Sequence, residues 1–123
     1  MESIPLRRGQ LVLAELDPGV GQEQRKTRPV LVVSNDGANL AVSRSGRGVV
    51  TVVPLTSNVT DASRSRPFQV VVAAGDSGLG PDSVIQAEQV RSISAGRIVR
   101  SLGFLPAAVM AAVDEALRVH LSL

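Results

Sequence analysis

Apolar residues fall along this chain in short, β-branched runs separated by polar stretches. Residues 10–16 carry Leu11, Val12, Leu13 and Ala14 and read as a first strand. Asp17-Pro18-Gly19 ends it, because proline removes a backbone donor and glycine admits positive φ. The polar loop GQEQRKTR follows, and then residues 29–34 (PVLVVS), a run of the kind buried strands show. Asn35-Asp36-Gly37 reads as the turn after it. Residues 38–47 are polar, rich in Ser and Arg, with room for one short helical turn. A third strand spans residues 48–56, and Pro54 marks its end as a sheet edge or bulge. Residues 57–67 form a second polar loop. Further strands are expected at 68–74, 83–90 and 98–105, with a turn near Ser94-Ala95-Gly96 between the last two. Pro106 opens a helix at a position where its missing N–H costs nothing. Val109, Val113, Ala116, Leu117 and His120 then recur at helical spacing, and Asp114 and Arg118 stand one turn apart as an ion pair.

Six short strands and one closing helix predict a mainly β fold, a small, partly open barrel capped by a C-terminal helix. The 123 residues make a single domain (1–123), with no internal repeat or low-complexity linker. A chain of that length buries about two-thirds of its unfolded surface. It has no cysteine, so disulfides and thiolate chemistry are excluded, and this suits a reducing compartment. The first residues lack the apolar stretch of a secretory signal, and no run approaches the ~18 residues of a membrane span. The expectation is a cytoplasmic protein with no membrane partner.

Charge changes this picture only locally. The pI of 10.4 overstates a net charge of +2. Without Cys or Tyr and with one Lys, little titrates between pH ~8 and ~12, so a small cation excess moves the pI far. More telling, twelve of the thirteen cations are Arg, which binds phosphate through a planar fork that Lys lacks. Residues 40–68 hold Arg44, Arg47, Arg64 and Arg66 against Asp61 alone, while residues 69–123 hold four Arg against five acids. A basic middle suits an anionic partner; solvated loop charge is the alternative.

Candidate chemistry is limited by what the chain lacks. One His rules out a paired-imidazole ribonuclease and a His-rich metal site, and no GxSxG, P-loop or dinucleotide motif is present. His120 near the end of the last helix complements the helix dipole and reads as structural. Three segments remain. In the first, Arg28 stands at the edge of a buried strand, where a scaffold can fix a guanidinium against a phosphate; a surface pair with Glu23 or Asp36 is the other reading. In the second, the third strand ends in Thr56, Ser57 and Asn58, which can hydrogen-bond phosphate or ribose or simply make a turn. In the third, alternation puts Gln86, Glu88 and Val90 on one face and Ala87, Gln89 and Arg91 on the other, a base-reading surface or a wet sheet face.

Taken in order, these segments resemble the MazF/PemK/Kid toxin family. The matching stretches are Arg8-Gly9-Gln10, Leu16-Asp17-Pro18, Gly21-Gln22-Glu23-Gln24 and Thr27-Arg28-Pro29-Val30 onward to Asn39. Val53-Pro54-Leu55-Thr56-Ser57, Asp82-Ser83-Val84, Glu88-Gln89-Val90-Arg91-Ser92-Ile93 and Val113-Asp114-Glu115-Ala116-Leu117 continue the series. The resemblance spans about residues 7–121. It implies an SH3-like barrel with a C-terminal helix, assembled as a homodimer. It further implies cleavage of single-stranded RNA without metal or other cofactor, by attack of the 2′-hydroxyl on the adjacent phosphate. Arg28 and Thr56 become the catalytic pair. Glu23 and Gln24 border the groove, and Gln89 lies in a base-contacting segment. Arginine stays protonated in proteins, so Arg28 is expected to stabilise charge rather than move protons; the base that activates the 2′-hydroxyl is left open, with Glu23 one candidate.

The chain departs from the family in its aromatics. Leu13 and Ala14 stand where members often carry an aromatic residue, and Phe68 and Phe104 are its only aromatics. Contacts from Arg64 and Arg66 to phosphate are expected to replace base stacking, making RNA affinity salt-sensitive. A cognate MazE-like antitoxin with an acidic tail is the implied protein partner. Two rivals remain. A gyrase-binding toxin of the CcdB type would cut nothing, but those toxins end in a Trp-containing segment, and this chain has no Trp. The other is a non-catalytic or inactive SH3-like binding module.

Overall fold

A computed structural model describes residues 4–16 and 26–123. Seven strands are present: β1 (Gln10–Glu15), β2 (Thr27–Val32), β3 (Val49–Thr56), β4 (Gln69–Val72), β5 (Ser83–Gln86), β6 (Arg91–Ser94) and β7 (Ile98–Phe104). Helices α1 (Asp36–Ser45), α2 (Asp61–Ser65), α3 (Ala74–Ser77) and α4 (Ala107–Leu121) complete the chain, with 3-10 turns at Ala87–Gln89 and Ala95–Arg97. The antiparallel order is β4-β5-β3-β2-β1-β7, with β6 also on β3. β4 and β7 lie at opposite ends and do not pair, so the expected barrel is an open, curled sheet. Register shifts between β1 and β7, one beside Gly103 at φ 120°, supply part of the curl. Among the described residues no helix is long and apolar enough to cross a membrane.

The continuous apolar runs have a simple cause: the central strands are buried on both faces. Val12, Ala14, Val30, Val32, Val50 and Val52 face one core, closed by Val42 of α1. Their neighbours Leu11, Leu31, Val53 and Leu55 face a second core, closed by Val113 of α4. At ~25 cal/mol per Å2, burying such side chains gives the sheet its main stabilisation.

Three departures from the expected elements have local causes. Asn35-Asp36-Gly37 does not turn the chain but starts α1. The Asn35 side chain accepts the Ala38 N–H at 2.9 Å, and Gly46 ends the helix at φ 69° with its N–H on the Val42 carbonyl. The second polar loop contains α2, capped by reciprocal Thr60–Ser63 hydrogen bonds. In α4, Asp114 pairs with Arg8 instead of Arg118, which turns to Glu115 at 3.2 Å.

Pro54 lies inside the sheet, not at its edge. The Thr51 carbonyl accepts the Val33 N–H, so odd residues of β3 point their backbone groups at β2. The Pro54 nitrogen therefore faces the other flank. There β6 pairs as far as Val52↔Arg91 and β5 resumes at Leu55↔Ile85. The missing N–H falls in the gap. The expected strand at 83–90 breaks for the same reason: β5 ends at Gln86, and the 87–89 turn carries the chain past the gap to β6.

Candidate active site

The β2–β3 register decides which side chains meet. Val30 stands opposite Pro54, and Val32 opposite Val52. Continued by two residues, the same register sets Arg28 opposite Thr56. Both belong to the even-numbered face that carries Val30 and Val52, at the end where apolar residues give way to solvent. Arg28 is further anchored by its pairing with Ala14 of β1. A cleft of about 450 Å3 opens there, lined by Arg28, Pro29, Leu55, Thr56, Ser57, Leu79, Gly80, Pro81 and Ser83.

The groups in this cleft are poised to donate. Arg28 is exposed, and among the described residues it makes no ion pair or side-chain hydrogen bond. Asp36, which the sequence offers as its partner, is engaged elsewhere. It accepts the Arg8 N–H at 2.7 Å and the Asn39 amide at 3.3 Å, and these bonds hold its carboxyl below its ordinary value of 3.8. Thr56 Oγ1 accepts the Asn58 N–H at 3.2 Å. This turn bond occupies a lone pair and leaves the hydroxyl proton for a ligand. The described lining contains neither carboxylate nor imidazole. An exposed guanidinium beside hydroxyl donors is able to stabilise negative charge.

Ser57, Arg28 and Thr56 are thus brought together. Gln89, exposed on the 87–89 turn, lies in a smaller adjoining hollow that Arg28 also lines. Arg64 and Arg66 stand apart from the cleft lining. Arg64 lines a different hollow, between α2, β4 and α4. Arg66 donates to Gln69 Oε1, and the Gln69 amide donates to both oxygens of Glu88 at 3.0 Å. The expected replacement of stacking by these two cations is therefore not built into this cleft. Glu23 and Gln24 lie outside the described residues. Leu79, Gly80 and Pro81 carry no signal in the sequence; they are ordinary turn residues that reach the cleft only because Ser83 begins β5, the strand that pairs with the end of β3. Arg91, which strand alternation groups with Gln89, lines the smaller hollow as well.

Comparison with known proteins agrees with this architecture. Residues 7–121 match the family described as PemK-like, MazF-like toxin of type II toxin–antitoxin system. The chain is 48% identical over 118 residues to endoribonuclease MazF9 of Mycobacterium tuberculosis, covering 96% of this chain and 98% of that one. It superposes on the crystal structure of MazF (Form-I) from Deinococcus radiodurans with a TM-score of 0.72, 30% identity and coverage of 98% and 99%. Against MazE–MazF (Form-II) of the same organism the TM-score is 0.75, at 29% identity and 98% coverage of each chain.

Proposed function

From the premise that this chain belongs to the PemK-like, MazF-like toxin family, we propose that it is the toxin of a type II toxin–antitoxin pair, an endoribonuclease acting on single-stranded RNA in the cytoplasm. The observation that carries the site assignment is a single cleft lined by Arg28, which has no side-chain partner among the described residues, and by Thr56, whose hydroxyl accepts the Asn58 N–H and keeps its proton to donate. Attack by a ribose 2′-oxygen on the adjacent phosphorus forms a P–O2′ bond and breaks the P–O5′ bond. The products are a 2′,3′-cyclic phosphate and a 5′-hydroxyl, with one proton lost from the 2′-oxygen and one gained by the 5′-oxygen. Negative charge grows on the non-bridging oxygens, where a fixed guanidinium and a hydroxyl donor are most effective. Arg28 stabilises that charge and Thr56 adds a hydrogen bond. Ser57 and Gln89 bind the flanking nucleotides. The family's paired antitoxin is the protein partner, as in the MazE–MazF complex this fold resembles. A homodimer is supported by the free edge of β7, where Val99 and Phe104 are exposed, and by exposed Val119 and Leu121 on α4.

The test is cleavage of a long single-stranded RNA in EDTA, with the new ends mapped. Wild type is expected to leave cyclic phosphate and 5′-hydroxyl ends. Arg28→Ala and Thr56→Ala should each lower kcat by about 10²–10³. Arg28→Lys should recover only part of the loss, since it keeps the charge but not the fork. Uncut RNA with wild type, or full cutting by folded Arg28→Ala, would overturn the reading.

A further inference from the structure

Arg28 borders two hollows. Besides the Thr56 cleft it lines a smaller one, about 150 Å3, with Leu16, Pro54, Gln89 and Arg91. This second hollow follows from the break opposite Pro54. The 87–89 turn bridges the gap between β5 and β6, bringing Gln89 and the first residue of β6 beside Arg28. Of the five described lining residues, two carry guanidinium groups and none is an acid. Among the described residues Arg91, like Arg28, has no ion pair and no side-chain hydrogen bond. Two like charges at one hollow repel each other, and a bound anion relieves that repulsion. Both arginines rise from paired strands, Arg28 opposite Ala14 and Arg91 opposite Val52, so the ladder rather than a loop sets their positions. Gln89 adds an amide able to donate and accept.

We propose that this hollow is a second substrate subsite, holding the phosphodiester next to the one that is cut, with Arg91 as its phosphate-binding residue. The proposal rests on the endoribonuclease reading. Arg28 stands at the boundary, so the RNA backbone passes over it from one hollow to the other. Arg91 touches no reacting atom. It binds ground state and transition state alike, and its loss therefore falls on KM more than on kcat.

The experiment compares wild type, Arg91→Gln and Arg118→Gln, the last removing an equal charge from α4. Cleavage of single-stranded RNA gives kcat and KM. Binding of a short all-2′-deoxy single strand, which has no attacking hydroxyl, gives affinity across a salt series. Arg91→Gln is expected to raise KM about tenfold or more and to shrink the slope of log affinity against log salt by about 0.7. Arg118→Gln should keep the wild-type slope. A wild-type KM and slope in Arg91→Gln, or a loss confined to kcat, would sink the subsite. If wild type cuts no RNA, the functional reading fails, and the deoxy-strand slopes still decide whether Arg91 holds a phosphate.

Discussion

Asp36 illustrates how a single residue can carry a pH dependence that its neighbours write into it. Its carboxylate accepts the Arg8 N–H and the Asn39 amide, with the Arg7 and Arg8 charges nearby, and its pKa is lowered from 3.8. A folded-state pKa below the unfolded value means that the folded state binds the proton less well. The contribution to stability is therefore complete above the unfolded value and is lost as pH falls through the folded one. In urea unfolding at a series of acidic pH values, wild type should lose stability more steeply below pH ~4 than Asp36→Asn does. Parallel curves would assign the acid response to other carboxylates. The same hydrogen bonds explain why Arg28 is available: the nearest acid on its C-terminal side is already committed.

At the scale of elements, polar sequence concealed structure. Helix α1 has only Asn39 and Val42 buried and shows little of the apolar periodicity by which helices are recognised. Its stability comes from its ends and from an internal network. Asn39 donates to the Ser34 carbonyl at 2.8 Å, and the Ser43 hydroxyl donates to the Asn39 carbonyl at 2.9 Å while accepting the Leu6 N–H. Asn35→Ala should cost about 1 kcal/mol, seen as a lower urea midpoint with an unchanged m-value. A midpoint equal to wild type would mean that the cap bond adds nothing. The break at Pro54 belongs to the same scale. A missing donor inside β3 is tolerated because its flank changes partner there, and that change shapes the smaller hollow.

For the whole molecule, the relevant quantity is the distribution of cations that lack acidic partners. Arg8 and Arg118 are neutralised by Asp114 and Glu115, whereas Arg28 and Arg91 converge without a partner among the described residues. With little aromatic surface for stacking, binding of single-stranded RNA should depend mainly on phosphate contacts. Affinity should fall steeply with salt, the logarithmic slope being about 0.7 for each phosphate neutralised. Titration of a labelled strand between low and moderate salt measures it. A flat response would show that neutral contacts dominate.

The sequence by itself determined the class of the fold, five of the six expected strands to within about two residues, and the closing helix. Burial on both faces writes itself into apolar runs, and proline and glycine punctuate them. It also pointed to Arg28, Thr56 and Gln89, through the order of motifs along the chain rather than through any single one. Only tertiary structure decided that Arg28 and Thr56 line one cleft, because that depends on the β2–β3 register, which no local signal encodes. Tertiary structure likewise divided the strand expected at 83–90 into β5, a turn and β6, committed Asp36 to Arg8 rather than to Arg28, tied Arg66 to Gln69 and set Arg64 against a different hollow. Pairing across a sheet couples residues far apart in sequence, so it is written in the packing of the whole chain and not in any stretch of it.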